Sequence, residues 1–265
     1  MIKVGVFIGN SSHEVKMSKR RRLVVANWKM YGRLTSGLVL ARDVAKFAEA
    51  ARPLNFDLVL CPPATLTWAI GESLQGSQIV LGAQDCHTTT HGAYTGDLSA
   101  AMFVDLGCRY IILGHSERRR GHGESSELIA KKVEAAQIAG LTTIVCVGET
   151  AEELASGSTA EIIEKQLRES LPSRVKTANL VIAYEPVWAI GTGQQPSSED
   201  VLTVHKLIRK VLGEVGETVR VLYGGSVTPS NVEGILHESE VDGVLVGSAS
   251  LNADGFWAIA EKCSE

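Results

Sequence analysis

The sequence predicts an α/β protein built as a single-domain (β/α)8 barrel, and three observations carry that prediction. Short apolar, β-branched runs recur eight times from Leu23 onward, about every 30 residues, the length of one βα unit. These runs are apolar on both faces, as expected of parallel strands buried between layers. Between them lie stretches with apolar residues at spacings of three and four and charges on the opposite side. Eight such units suit the roughly 250 residues a barrel takes. A doubly wound open sheet is the alternative. The barrel is favoured because no G-x-G-x-x-G opens a helix after a strand and no G-x-x-x-x-G-K-[ST] occurs.

Taken in order, the predicted strands are Leu23–Trp28, Asp57–Cys61, Gln78–Gln84, Tyr110–Gly114, Leu141–Val147, Asn179–Tyr184, Val219–Tyr223 and Val241–Val246. The covering helices are expected over Leu34–Ala50, Ser125–Ala139, Ala151–Ser170, Ser197–Leu212 and Pro229–Glu238. Ahead of the barrel, residues 1–16 read as an N-terminal extension before a second plausible start at Met17, so the catalytic domain is expected over 17–265. Val4 to Ile8 could form a short extra strand, but an upstream start or a remnant is at least as good a reading of the extension as a functional arm. The basic run Lys19–Arg22 reads as a solvated face.

Composition narrows the functional classes. The chain has 265 residues, 45% hydrophobic and 21% charged, enough for one large core, and a formal net charge of -4. That balance gives no electrostatic reason to expect nucleic acid or an anionic membrane as partner. No apolar run approaches the length of a membrane span, and the N-terminus lacks the regions of a signal peptide. The five cysteines, Cys61, Cys86, Cys108, Cys146 and Cys263, are odd in number and form no C-x-x-C. Neither a disulfide framework nor a zinc site is suggested, and a reducing, cytoplasmic compartment fits best. His87 and His91, in a Thr-rich stretch, lack a third ligand at an obvious spacing, so no metal site is expected. No organic cofactor is expected either.

A barrel builds its active site at the C-terminal ends of its strands. Asn27 and Lys29 follow the first strand, His115 the fourth, Glu185 the sixth, and the runs Gly224-Gly225-Ser226 and Gly247-Ser248 the seventh and eighth. Glu185 precedes apolar residues and a Gly-x-Gly, a loop that could close as a flap and exclude water around a carboxylate base; an ordinary βα loop is the plainer reading. His115 stands where a strand gives way to a helix start. Helix N–H groups aimed at its ring would favour a neutral imidazole that donates a hydrogen bond. A satisfied structural histidine is the alternative. Lys29 either reaches solvent or supplies positive charge to a phosphorylated substrate. The two Gly-rich strand ends match the place where barrels hold phosphate with backbone N–H groups.

The stretches Asn27-Trp28-Lys29-Met30, Gly114-His115-Ser116-Glu117-Arg118-Arg119, Ala183 to Gly193 and Tyr223-Gly224-Gly225-Ser226 resemble those of the triosephosphate isomerases, in the same order and spacing from about Lys19 to the C-terminus. The resemblance implies an isomerase of dihydroxyacetone phosphate and glyceraldehyde 3-phosphate, acting in glycolysis and gluconeogenesis through an enediol(ate). It implies Glu185 as the base and His115 as the group that polarises the carbonyl. Asn27 and Lys29 would stabilise the intermediate, with Glu117 beside Lys29. The amides of Gly191, Ser226, Gly247 and Ser248 would hold the phosphate, under a lid over Pro186 to Pro196. It also implies a homodimer, with the long loop 85–97 at the interface and Thr95 near the partner's Asn27 and Lys29 positions.

Departures from the family pattern are Tyr31, Asp85 and Asp97, all assigned to the interface or its neighbourhood, Ser248 at the phosphate site, and Gln194-Gln195-Pro196 at the lid's end. Two other readings are a different phosphate-binding barrel isomerase, such as one in amino-acid biosynthesis, and a non-catalytic barrel.

Overall fold

A computed structural model describes residues 20–190 and 194–264; residues 1–16 and Gly191 therefore lie outside the described residues. Eight parallel strands close into a barrel in sequence order. They are β1 (Leu23–Asn27), β2 (Asp57–Cys61), β3 (Ile79–Ala83), β4 (Tyr110–Leu113), β5 (Thr142–Val147), β6 (Leu180–Tyr184), β7 (Arg220–Tyr223) and β8 (Gly243–Val246). Closure is made by β1 against β8, with Val25 beside Leu245.

Alternation along each strand sorts the side chains into two cores. Leu23, Val25, Val59, Ile144, Cys146 and Ala183 fill the barrel, while Val24, Ala26, Leu58, Leu60, Val145 and Ile182 face the helices. Both sets are fully or almost fully buried, which explains why the strands read as continuously apolar.

The helices are α1 (Leu34–Ala50), α2 (Thr67–Ser73), α3 (Ala100–Asp105), α4 (Ser116–Gly121), α5 (Ser126–Ala139), α6 (Ala151–Ala155), α7 (Thr159–Ser170), α8 (Ser198–Leu212), α9 (Val232–Leu236) and α10 (Ala253–Ala260). The helix expected over Ala151–Ser170 is two helices, α6 and α7. Gly157 interrupts it at φ 73°, a left-handed conformation that ends a helix. The last expected helix shortens to α9, because the Asn231 side chain ties the preceding turn, accepting from Thr228 N–H and donating to the Ser226 carbonyl.

Within the basic run, Arg20 to Arg22 are engaged with the protein rather than simply solvated. Arg20 donates to Asp242 at 2.7 Å and to the Glu217 carbonyl at 2.9 Å. Arg21 donates to Asp57 at 2.6 Å, and Arg22 to the carbonyls of Lys262 and Leu236. These arginines tie the entry of the chain to the strands, loops and C-terminal turns around it.

Among the described residues no helix is long and apolar enough to cross a membrane. The five cysteines are all buried and unpaired.

Candidate active site

The strand ends meet in a cavity of about 690 Å³, lined by Asn27, Lys29, His115, Glu117, Glu185, Ser226, Gly247 and Ser248 among others. All the described candidate residues come together there. Asn27 is the last residue of β1, and its Oδ1 accepts the Lys29 N–H at 3.0 Å. That contact accompanies a left-handed Lys29 (φ 51°), uncommon for a residue with a Cβ. The Lys29 Nζ reaches Glu117 Oε1 at 2.6 Å, so the expected pairing is formed within one chain. Burial acts to raise the Glu117 carboxyl. The bond to Lys29, with His115 and Arg120 nearby, outweighs it and holds the group below the usual carboxylate range.

His115 caps α4: its Nδ1 accepts the Glu117 N–H at 3.2 Å. A nitrogen that accepts carries no hydrogen, which puts the proton of the neutral ring on Nε2. That Nε2 faces the cavity, 3.2 Å from Glu185 Oε1.

Glu185 continues β6 by one residue, its N–H bonded to the Val147 carbonyl at 2.8 Å. The residue is 1% exposed. Its Oε2 accepts the Ser116 N–H at 3.0 Å, whereas Oε1 makes no aligned hydrogen bond despite its closeness to His115. A buried carboxylate oxygen with an open lone pair is costly in a structural role and useful in a base. Gly224 lets the loop after β7 pass against this side chain, since a Cβ there would lie 2.9 Å from Glu185 Cγ.

On the far side, Ser226, Gly247 and Ser248 bring the loops after β7 and β8 to the cavity wall beside the Lys29 side chain, which comes within 3.3 Å of where a Gly247 Cβ would stand. Backbone N–H groups together with a lysine suit a phosphate dianion.

The start of the loop after β6 is held by Glu149, whose Oε1 accepts from Tyr184 Oη at 3.1 Å and Trp188 Nε1 at 2.8 Å. Burial raises the Glu149 carboxyl despite these donors. A second cavity of about 530 Å³ lies behind Glu185, walled by Arg119, Cys146, Gly148 and Trp188. Sequence reasoning did not find Glu149, Arg119 or Cys146. The polar residue after the fifth strand was the available signal for Glu149.

Thr95 does not line its own chain's cavity; it lies on the loop 85–97, whose residues 89–97 are all exposed. Asp85 was assigned to the interface neighbourhood; within this chain it is already engaged. It lies in an intrachain cluster, 2.8 Å from Lys132 and 2.9 Å from Arg118, both of which also bond Glu124. Asp97 sits 3.6 Å from His87, whose ring lies tilted against Tyr94, 4.1 Å between centroids. Among the described residues no three His, Cys, Asp or Glu side chains converge to hold a metal ion.

Comparison with known proteins agrees with this geometry. A family model described as triosephosphate isomerase matches residues 22–263. The triosephosphate isomerase of Granulibacter bethesdensis is 53% identical over 249 residues, covering 91% of this chain and 98% of that protein. That of Afipia carboxidovorans is 48% identical, with 92% and 98% covered. Among solved structures, a triosephosphate isomerase from Bartonella henselae superposes with a TM-score of 0.85 at 40% identity, covering 92% of this chain and 100% of that one. With the strand-end residues gathered in one cavity and relatives matching nearly end to end, the chain belongs to the triosephosphate isomerase family.

Proposed function

We propose that Glu185 is the base of the interconversion of dihydroxyacetone phosphate and D-glyceraldehyde 3-phosphate that this enzyme catalyses. The observation that carries the assignment is the pairing of a buried carboxylate, one oxygen unpartnered, with the Nε2 of His115 at 3.2 Å. Glu185 removes a proton from the carbon beside the carbonyl and returns it to the neighbouring carbon. His115 donates from Nε2 to the carbonyl oxygen as negative charge develops there, and moves protons between the two oxygens of the enediol(ate). Lys29 and Asn27 stabilise that charge, which in a site closed to water is far more effective than in bulk.

Glu117 holds Lys29 in place. The amides of Ser226, Gly247 and Ser248, with Gly191 from the lid, bind the phosphate. Lid closure over Pro186 to Pro196 keeps water from the intermediate, which could otherwise expel its phosphate. Replacing Glu185 with Gln keeps the shape and removes the base. Turnover of glyceraldehyde 3-phosphate should then fall on the order of 10² to 10⁴-fold or more, with KM little changed and the fold intact by circular dichroism. Turnover near wild type would overturn the assignment.

We further infer a homodimer across the loop 85–97. The exposed side chains Met30, Tyr31, Tyr94 and Leu98 leave apolar surface at the mouth and along this loop, a surface a second copy would cover. Thr95 would then reach the partner's cavity. Sedimentation equilibrium should return twice the chain mass, and a single-chain mass at micromolar concentration would contradict the inference. The buried, unpaired thiols suit a reducing cytoplasm.

A further inference from the structure

Arg119, on α4 four residues past His115, has an unusual set of partners for a largely buried cation. Its Nε donates to the Gly114 carbonyl at 2.9 Å and its Nη1 to Ser126 Oγ at 3.1 Å. Its Nη2 donates to the Cys146 carbonyl and to Ser170 Oγ, both at 3.0 Å. Every acceptor is neutral, and no carboxylate among the described residues forms a salt bridge with it. A buried guanidinium without a paired anion is expensive, and four neutral acceptors offset only part of that cost. Burial lowers the affinity of Arg119 for its proton, against the pull of Cys146 and of the carboxylates of Glu185 and Glu124.

The acceptors matter because of what they precede. Gly114 is the residue before His115 and is held left-handed at φ 68°, where a Cβ would meet Ile129 and the guanidinium itself. Cys146 is an inward-facing residue of β5 beside Ala183 of β6, and the nearby Glu185 carboxylate adds to burial in raising its thiol pKa. Ser126 opens α5 and Ser170 closes α7. One side chain thus joins the β4 end that carries His115 to the β5 end that abuts Glu185, and anchors both to two covering helices.

We propose that Arg119 is a positioning residue for the isomerisation: it sets the strand ends on which His115 and Glu185 are aligned and places a positive charge behind the Glu185 carboxylate. The inference rests on Glu185 being the base. Glu185 is faced by His115, by Cys146 from β5 and by Arg119 from α4, while Arg120, Glu152 and Glu153 line the cavity behind it.

That cavity makes the test feasible, because truncating Arg119 extends an existing space into which methylguanidinium can diffuse. For Arg119→Ala we expect a cooperative thermal melt, kcat lowered on the order of 10²-fold and KM within a few-fold, since the phosphate loops lie across the mouth. Arg119→Lys should lose only part of kcat. Millimolar methylguanidinium, but not ammonium at equal ionic strength, should restore turnover to the Ala variant.

A folded Arg119→Ala enzyme with wild-type kcat would overturn the proposal. So would a loss of kcat with no recovery by methylguanidinium. If the Ala variant does not fold, Ser126→Ala combined with Ser170→Ala removes two of the four acceptors and keeps the cation. A several-fold loss of kcat at unchanged KM supports the positioning role, and wild-type kcat overturns it. Full activity of Glu185→Gln would instead signal that the base assignment itself had failed.

Discussion

Gly148 lacks a side chain because the carbonyl oxygen of Glu185 occupies the place a Cβ would take. An alanine there has no rotamer to adopt and must push the backbone carrying the base away from His115. Gly148→Ala is therefore expected to lose about 1–3 kcal/mol of stability and to lose kcat more steeply than that loss explains. Gly234→Ala is the control. Its Cβ would enter open space within α9, so it should be neutral or stabilising by about 0.5 kcal/mol. Comparing urea midpoints and kcat of the two variants checks the contrast, and an unperturbed Gly148→Ala enzyme would refute it. At this scale Asn27, Lys29, His115, Glu185 and the two serines were legible, since they stand at or just past strand ends, where a barrel builds its site, and most of them in stretches that resemble the family's. Arg119, Cys146 and Gly148 were not. Arg119 is one of three consecutive arginines, and only the fold shows that it turns inward.

Elements were legible in proportion to how many periods they display. The strands were placed within a residue or two, and the 17 residues of α1 were bounded correctly because four turns carry the apolar stripe. The short helices α2, α3, α4 and α10 have too few turns to show one, and their covering role is visible only against the barrel. The break between α6 and α7 turned on one left-handed glycine within an otherwise periodic stretch. Charge was the least legible pattern. Arg20 to Arg22 look solvated in sequence, yet their acceptors come from chain segments up to 240 residues away. Asp85 and Glu124 are likewise distant in sequence but share Lys132 and Arg118. There, burial lifts the Asp85 carboxyl above its usual range despite Lys132. Burial pushes Glu124 the same way, but its bonds to Lys132 and Arg118 prevail and hold it below. The cluster secures the base of the loop 85–97 to α4 and α5, so the exposed loop projects from a fixed platform rather than from a hinge.

The whole molecule should be sensitive to acid, and the sign follows from His205 on α8. Its ring is fully buried, edge-on to Tyr184, with Nδ1 3.2 Å from the Glu240 carbonyl and Nε2 without a partner. Burial first, then the neighbouring Arg209, lowers its pKa from 6.5 to about 4, with the Glu240 carbonyl and Asp242 opposing. The unfolded chain accordingly takes up this proton near 6.5 and the folded barrel only near 4. As pH falls through that window the unfolded state binds more protons, so stability declines, by roughly 3 kcal/mol in all, and levels off below it. Glu124 acts in the same direction lower down, because a depressed carboxyl stabilises above its ordinary pKa and loses that contribution as pH falls. Tyr184 connects the histidine to Glu149 and thence to Trp188 in the loop after β6. Charging His205 therefore strains the support of the active site as well as the core. Wild type should lose melting temperature steadily between about pH 7 and pH 5, while His205→Gln, which cannot titrate, should start lower and change less over that range. Parallel curves for the two proteins would place the acid sensitivity elsewhere. A slope that flattens only in the variant would assign it to one buried imidazole beneath the sixth strand.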